Sequence, residues 1–324
     1  MSISDQLVEQ YRAKAAGIKA PANQRQVYRE LFERQQAMKS TRVVRRRPLL
    51  LIGLAIVALV VIAGFTSYTW VHYGDDRVKV EYSQTTGEAL SIEQSKPIYQ
   101  RLANVQAQLA SGETAVVYLP EILRFYPEVK GMELLAVSNP TATTDYEAWD
   151  NTLVDRDENV KRLPKETLGI EFVRGIEESY FGGAISPEAL KLLPEMKSES
   201  EANGGTDVWR RVDPFTDLPF PIYTSIYRNT SQEEIFISTQ WFDQKGGIKG
   251  VTGATELEKV EVNGITVQYK LEEPFIFTNT SRLQTLQWVE TFEDRSLVYT
   301  VGTSSLTLTK EDLIAVLKAL QSEQ

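Results

Sequence analysis

The clearest pattern in the chain is an alternation of hydrophobic and polar residues in its C-terminal part. Residues 257–262 and 265–271 alternate in this way, and Asn263 and Gly264 lie between them. A type I′ turn needs positive φ at both central residues, which Asn-Gly tolerates well. Asn-Gly between two alternating runs therefore predicts a β-hairpin.

The same alternation continues towards the C-terminus. Residues 283–292 and 297–301 predict a second hairpin, whose turn is formed by 293–296. A closing helix is predicted from Lys310 to Leu320, because Thr309 can cap its first turn with Asp312 at the third position. Strands followed by a helix are typical of an α+β arrangement, with an antiparallel, curved sheet covered by helices on one face.

Upstream of this meander the periodicity is mixed. Apolar residues recur at helical spacing from Ile92 to Leu109, and a short helix is predicted from Ser186 and Pro187. Strands are predicted in four further places, at 77–82, 115–119, 132–137 and 168–173. Two polar stretches interrupt these elements, so we interpret 139–162 as a surface excursion and 197–206 as a loop or linker.

The longest apolar run lies near the N-terminus. No charged residue occurs between Pro48 and Gly74, and a helix over 49–71 would be about 34 Å long, enough for a hydrocarbon core of about 30 Å. A cleaved signal peptide normally has a shorter basic region and a shorter apolar run. The sequence therefore predicts a single transmembrane helix at 48–71.

Charge is distributed very unevenly on the two sides of this run. Residues 1–47 contain eleven basic and four acidic residues, whereas 75–324 contain 24 basic and 40 acidic residues, a net charge of +7 against −16. The positive-inside rule then predicts a cell-membrane protein with a cytoplasmic N-terminus and an extracytoplasmic C-terminal domain. We divide that domain into a first α+β region, 72–196, and a C-terminal meander with its closing helix, 197–324.

The basic tail also carries two apolar stripes at helical spacing, separated by Pro21. Forty-seven residues are too few for a stable core, so such stripes are typical of helices that bind a partner. The partner could be a cytoplasmic protein or the anionic inner leaflet of the bilayer, and a purely topogenic tail is the alternative. The predicted partner-binding residues are Leu7, Tyr11, Val27, Tyr28, Leu31 and Phe32.

Composition argues against most catalytic chemistry. The chain has no cysteine and one histidine, His72, beside the predicted membrane segment, so the common nucleophile–base pairs are not expected. Neither a metal nor another cofactor is expected, because Asp155, Asp157 and Glu158 lack the rest of an EF-hand loop. The glycines at 246–253 lack the context of a phosphate-binding loop. An acidic domain would repel nucleic acid. We therefore predict a protein that is not an enzyme.

Adjacent acidic residues occur at 177–178, 233–234 and 272–273, and a carboxylate pair for glycoside hydrolysis stays open as an alternative. Among the tryptophans, Trp241 and Trp288 lie in predicted strands and are expected in the core. Trp149 lies in the polar excursion, which makes it the candidate ligand contact.

The C-terminal meander also resembles a known kind of domain. The succession VNGITVQYKL, LQTLQWVETFEDRSLVYTVG and LTKEDLIAVLKAL, with Trp288, Tyr299 and Leu313, is similar to a poorly characterised extracytoplasmic domain of Gram-positive anti-sigma and sporulation-associated proteins. The tail segment YRAKAAGIKAPANQRQVYRELF, with Tyr11 and Pro21, resembles cytoplasmic segments of anti-sigma factors, but it lacks the residues of their zinc-binding domain.

The resemblance implies signal transduction. The outer domain would sense an envelope signal, and the tail would bind a cytoplasmic sigma factor. Membrane proteases would release that factor by cutting first in an exposed stalk at 71–86, except where the predicted strand at 77–82 is paired. The alternative is a membrane-anchored extracytoplasmic ligand-binding protein, or an envelope or sporulation assembly protein, with no sigma partner.

Overall fold

The computed structural model describes residues 71–131, 133–182, 184–215 and 220–322. This part of the chain is an α+β structure with mostly antiparallel sheets and few helices. In chain order its elements are β1 (Val71–Gly74), β2 (Val78–Gln84), α1 (Ile92–Gln106), β3 (Glu113–Tyr118), α2 (Ile122–Phe125), a 3₁₀ turn (Pro127–Val129), β4 (Leu134–Asn139), β5 (Ala142–Thr143), α3 (Tyr146–Arg156), β6 (Glu166–Thr167), β7 (Ile170–Ile176), α4 (Pro187–Leu190), α5 (Leu193–Ala202), β8 (Val208–Val212), β9 (Ile222–Asn229), β10 (Glu234–Phe242), β11 (Gly246–Thr252), β12 (Glu256–Val262), β13 (Ile265–Glu272), β14 (Leu283–Thr291), β15 (Ser296–Thr303) and α6 (Lys310–Ser322).

Nine strands form the main sheet, in the order β12-β13-β14-β15-β10-β9-β7-β5, with the short β6 paired to β7. All of these pairs are antiparallel. Both predicted hairpins are confirmed, and the first turn has φ of 49° at Asn263 and 83° at Gly264. Positive φ at both positions is what makes Asn-Gly the favoured pair there.

One face of the main sheet holds the largest hydrophobic core. Helix α3 packs on β7, and α6 packs on β14 and β15. Trp241 and Trp288 are buried in this core, as predicted from their positions in strands. The Thr309 cap of α6 is also confirmed, because its hydroxyl accepts from the Asp312 backbone N–H while the Asp312 carboxylate accepts from the Thr309 backbone N–H.

The opposite face of the main sheet is covered by a small sheet in the order β1-β2-β11. Val78, Val80 and Ile248 of this small sheet pack against Phe242 and Val298 of the main sheet. Strands β2 and β11 are parallel to each other. The glycine-rich run at 246–252 is therefore a strand, and it forms one edge of the small sheet.

A third sheet, in the order β4-β3-β8, lies between two helical layers. On one face Ala115 and Val117 pack with Ile98 and Leu102 of α1. On the other face Val116 packs with the buried side chains of α4 and α5. The predicted helices at α1 and α4 are confirmed, and the Ser186 hydroxyl caps α4 by accepting from the Ala189 backbone N–H at 3.0 Å.

Two polar stretches fold differently from the prediction. The supposed excursion at 139–162 contains α3, which Asp145 caps and which buries Trp149 and Leu153 one turn apart. The supposed linker at 197–206 is mostly helix α5, whose buried side chains include Met196 and Ser200. Each helix buries only two or three side chains. The rest of its sequence is mostly polar, so the sequence showed no helical pattern of apolar residues.

The sheets also cross the predicted division at residue 197. Strand β7 pairs with β9, β3 pairs with β8, and β2 pairs with β11. In each case one partner comes from 72–196 and the other from 197–324. The two segments therefore share their sheets, and no sheet boundary coincides with residue 197.

Almost all of the predicted tail and membrane segment, 1–70, lies outside the described residues. Within the described ranges, no helix is both long and apolar enough to cross a membrane. Val71, the last residue of the predicted segment, already belongs to β1 and pairs with Tyr82. In the predicted stalk at 71–86, residues 71–74 are therefore paired in addition to the strand that was predicted at 77–82.

Candidate functional site

An open groove runs between α1 and the edge of the main sheet. Its volume is about 700 Å³, within the range of about 300–1,000 Å³ that ligand pockets usually have. The wall from α1 contributes Tyr99 and Gln106, and the wall at the end of β4 contributes Ser138 and Asn139. The remaining surface is formed by several distant segments, namely Arg174, Ile226, Tyr180, Phe181, Phe277, Asn279 and Ser304.

Arg174 is the one charged side chain among the described residues that line this groove. It forms an ion pair with Glu234 at 3.3 Å, and Arg228 binds the same carboxylate at 2.5 Å. Tyr180 donates its hydroxyl to the other oxygen of Glu234 at 2.7 Å. Burial opposes ionisation, but the hydrogen bonds from Arg228 and Tyr180 and the charge of Arg174 together lower the pKa of Glu234. Glu234 therefore stays ionised and holds Arg174 and Tyr180 in place.

A second carboxyl group lies just behind the groove wall. Glu178 accepts a hydrogen bond of 2.6 Å from the Ser138 hydroxyl. Burial raises the pKa of Glu178, and this single hydrogen bond only partly opposes the rise. The Glu234 carboxylate is shared by Arg174 and Arg228, so the positive charge of Arg174 at the groove is largely balanced.

Tyr180 and Phe181 also line a second space, a cavity of about 60 Å³ between the main sheet and the β1-β2-β11 sheet. Tyr180 stacks on Phe236 with ring centroids 4.6 Å apart, and Phe181 packs edge-on against Phe275 at 4.8 Å. These two aromatic side chains thus form the partition between the open groove and the inner cavity.

The inner cavity is polar on the side of β1 and β2. Tyr73 of β1 and Tyr82 of β2 both donate their hydroxyls to Oε1 of Gln287, the latter at 3.1 Å. Gln287 in turn donates to the Thr300 hydroxyl at 2.9 Å. Burial raises the pKa of both tyrosines, so their hydroxyls stay protonated and remain donors. This chain of bonds ties β1 to the main sheet.

A buried ion pair lies at the same interface. Lys270 is 2.6 Å from Glu272, and their side chains are 7% and 0% exposed. Thr252 of β11 donates its hydroxyl to Glu272 at 3.0 Å, and the Lys270 ammonium lies 4.5 Å from the centre of the Tyr82 ring. The pair therefore links β13 to both β2 and β11. Within the described residues, Oε2 of Glu272 and the buried hydroxyl of Tyr126 have no hydrogen-bond partner.

The structure corrects the predicted role of Trp149. Its side chain is only 2% exposed, and its indole Nε1 donates to the Ser225 hydroxyl at 2.8 Å. The ring packs flat on Gly175, where a Cβ atom would lie 1.9 Å from it. Trp149 is therefore a core residue with its one donor satisfied, and it is not placed to contact a ligand. The tail residues predicted to bind a partner, Leu7, Tyr11, Val27, Tyr28, Leu31 and Phe32, lie outside the described residues.

The adjacent carboxylates are held by other side chains. Glu233 accepts from the hydroxyls of Ser305 and Thr307, while Glu234 and Glu272 form the ion pairs described above. Asp157, considered for calcium, is bound at 2.5 Å by Arg295. In the part of the chain that the structure describes, no three metal-binding side chains are grouped together.

Sequence reasoning missed the residues of the groove. Arg174, Tyr180 and Asn279 come from separate segments, and none of them stands in a motif. Only the fold brings them together, so no local signal could have found them. Comparisons with protein-family models, with curated proteins and with solved structures found no match. The resemblance to anti-sigma and sporulation-associated proteins accordingly stays a prediction.

Proposed function

We propose that this protein is a single-pass membrane signal transducer. Its external domain binds a ligand in the groove, and its basic tail binds a protein in the cytoplasm. The observation that carries the proposal is that β1 begins at Val71, where the predicted membrane segment ends. A membrane helix ending there would join the folded domain without a flexible linker, so a change in the domain would act on the helix directly.

A continuous set of contacts supports this coupling. Tyr180 and Phe181 line both the groove and the inner cavity. On the far side of the cavity, Tyr73 of β1 is bonded to Gln287 of the main sheet. A ligand that moved the Tyr180–Phe181 partition would therefore change the packing next to β1, which continues into the predicted membrane helix.

Charge supports the orientation. The tail has a net charge of +7 and the residues after the apolar run a net charge of −16, which favours a cytoplasmic tail in contact with the anionic lipid bilayer. The resemblance of the tail and the meander makes a sigma factor our proposed partner. Proteolytic release of that partner by membrane proteases would require β1 to detach from β2 first, because the two strands are paired from Val71 to Gly74.

The alternative is a membrane-anchored ligand-binding or assembly protein, which would use the same anchor and the same groove. It differs in needing no cytoplasmic partner. Binding by the tail therefore distinguishes the two functions.

The proposed topology can be tested by cysteine labelling, since the chain has no cysteine of its own. We expect a membrane-impermeant maleimide to label Ser231→Cys in intact cells, because Ser231 lies in an exposed turn of the external domain. We expect Ser40→Cys in the tail to be labelled only after the membrane is opened. Labelling of Ser40→Cys in intact cells, or protection of Ser231→Cys, would contradict the proposed orientation.

A further inference from the structure

The lining of the groove differs in charge from the rest of the external domain. Residues 75–324 contain 40 acidic side chains, yet none of the lining residues is acidic. The single lining charge, Arg174, is already paired with Glu234. A cationic ligand would meet this guanidinium, and an anionic ligand would have to compete with Glu234 for it. The groove is therefore suited to an uncharged ligand.

Neutral hydrogen-bonding groups line both walls. The amide of Asn139 donates to the Leu109 carbonyl at 2.9 Å, which fixes its orientation and leaves its carbonyl oxygen available. The Asn279 side chain is exposed and makes no hydrogen bond within the described residues. Side-chain amides offer two donors and an acceptor in one plane, an arrangement that can bond adjacent hydroxyl groups of one ligand.

Aromatic rings complete the lining. Tyr99 of α1 and Phe277 both line the groove and are half-buried, so each ring presents surface to it. Phe277 is supported by Phe275, with ring centroids 5.5 Å apart. Phe181 packs against the same Phe275. Rings held in this way can stack on an apolar ligand face at little cost in side-chain entropy.

Sugar rings suit both the amide groups and the aromatic rings of this lining, because they present hydroxyl groups beside apolar C–H faces and carry no charge. A peptide fits less well, because backbone recognition needs a free strand edge. Edge strand β5 has only two residues, and on edge strand β4 the Ser138 carbonyl already accepts from the Gln106 side-chain amide at 2.8 Å. On the proposed function, in which the groove is the sensing site, we infer that the groove binds a neutral oligosaccharide between Tyr99 and Phe277, with Asn139 and Asn279 bonding its hydroxyl groups.

The test is calorimetric titration of the full-length chain in nanodiscs with chitohexaose, cellohexaose and maltohexaose. A polyuronate and an uncharged oligopeptide serve as the comparison ligands. We expect at least one neutral hexasaccharide to bind, with an affinity that does not depend on salt, because screening acts only between charges. Asn279→Ala and Tyr99→Ala should each weaken that binding about fivefold, since a lost hydrogen bond or a lost ring stack is worth roughly 1 kcal/mol.

The matched control is Asn104→Ala, which removes the same amide from an exposed site on α1 that does not line the groove. Its affinity should equal that of the wild type. The inference is overturned if no neutral hexasaccharide binds, or if the Asn279 and Tyr99 variants bind as well as the wild type. Binding of the polyuronate or the peptide instead would also overturn the saccharide class. None of these results depends on the tail. The proposed signal transduction is therefore tested separately, by the topology of the chain and by partner binding to the tail.

Discussion

Replacing Lys270 with methionine is expected to lower the free energy of unfolding by about 3 to 5 kcal/mol. The substitution preserves most of the side-chain volume but leaves Glu272, which is 0% exposed, without its ion-pair partner. A buried carboxylate without a counter-charge is one of the most costly single changes in a protein interior. Chemical denaturation followed by fluorescence would measure the loss.

The loss should depend on pH. Burial raises the pKa of Glu272, while the Lys270 ammonium and the Thr252 hydroxyl oppose the rise. Without the Lys270 ammonium, less opposes the rise in the pKa of Glu272. Glu272 in the folded variant therefore takes up a proton at a higher pH than in the unfolded chain, where the carboxyl has a pKa of about 4.3. A group whose folded pKa is raised loses stability as pH increases. The deficit should therefore be smaller at about pH 5 than at about pH 8.

Two controls separate the buried charge from simple loss of a contact. Lys270→Met combined with Glu272→Gln removes both charges and keeps an acceptor for Thr252, so it should recover most of the lost stability. Lys249→Met breaks the ion pair between Lys249 and Glu81, in which the lysine side chain is 65% exposed, and should cost at most about 1 kcal/mol. Equal losses in Lys270→Met and in the double variant would rule out an uncompensated charge as the cause.

Gly175→Ala is expected to destabilise the protein by about 3 kcal/mol. A Cβ atom at this position would lie 1.9, 2.1 and 2.4 Å from three atoms of the Trp149 indole. The ring would have to shift away from β7, which would also strain its hydrogen bond to Ser225. Thermal unfolding and near-ultraviolet circular dichroism would show the lost stability and the altered packing of the tryptophan.

A double-mutant cycle tests whether that contact is the cause. Trp149→Leu removes the ring that the new methyl group meets, so Gly175→Ala should cost much less in that background than in the wild type. If the alanine costs the same in both backgrounds, the close packing of Trp149 on Gly175 is not what the glycine provides.

The parts of the fold that were predicted correctly have local causes. The turn at Asn263 and Gly264 needs two residues that tolerate positive φ, and no distant residue has to supply it. Trp288 and Tyr299 were placed in strands from alternation alone, and they stack across the β14–β15 pair with ring centroids 5.0 Å apart. The cap at Thr309 likewise involves residues only three positions apart.

The parts that were missed depend on distant residues. Helix α3 has a polar sequence, and it is recognisable only once β7 and β9 provide Gly175 and Ser225 to receive Trp149. The parallel pair of β2 with β11 joins residues far apart in the chain, and sequence periodicity gives no information about such pairing.

The candidate site was missed for a related reason. The groove is distinctive because acidic side chains are excluded from it, whereas the sequence around it is rich in acids. Glu178 is adjacent to Glu177 in the chain, but only Glu178 turns inward, to Ser138, while Glu177 is exposed. Which acids turn inward and which stay on the surface is decided by the course of the strands, and composition cannot reveal it.

Whether the tail binds a cytoplasmic protein can be tested by capturing its partners with the full-length protein. The chain would be purified from membranes of its host in mild detergent, and the proteins bound to it identified by mass spectrometry. We expect recovery of a sigma factor with the wild type and its loss with Leu31→Asp and Phe32→Asp, which place charges in the apolar stripe of the tail. Recovery of no specific cytoplasmic protein, or equal recovery with wild type and variants, would contradict the proposed signal transduction and favour a protein whose function lies wholly outside the membrane.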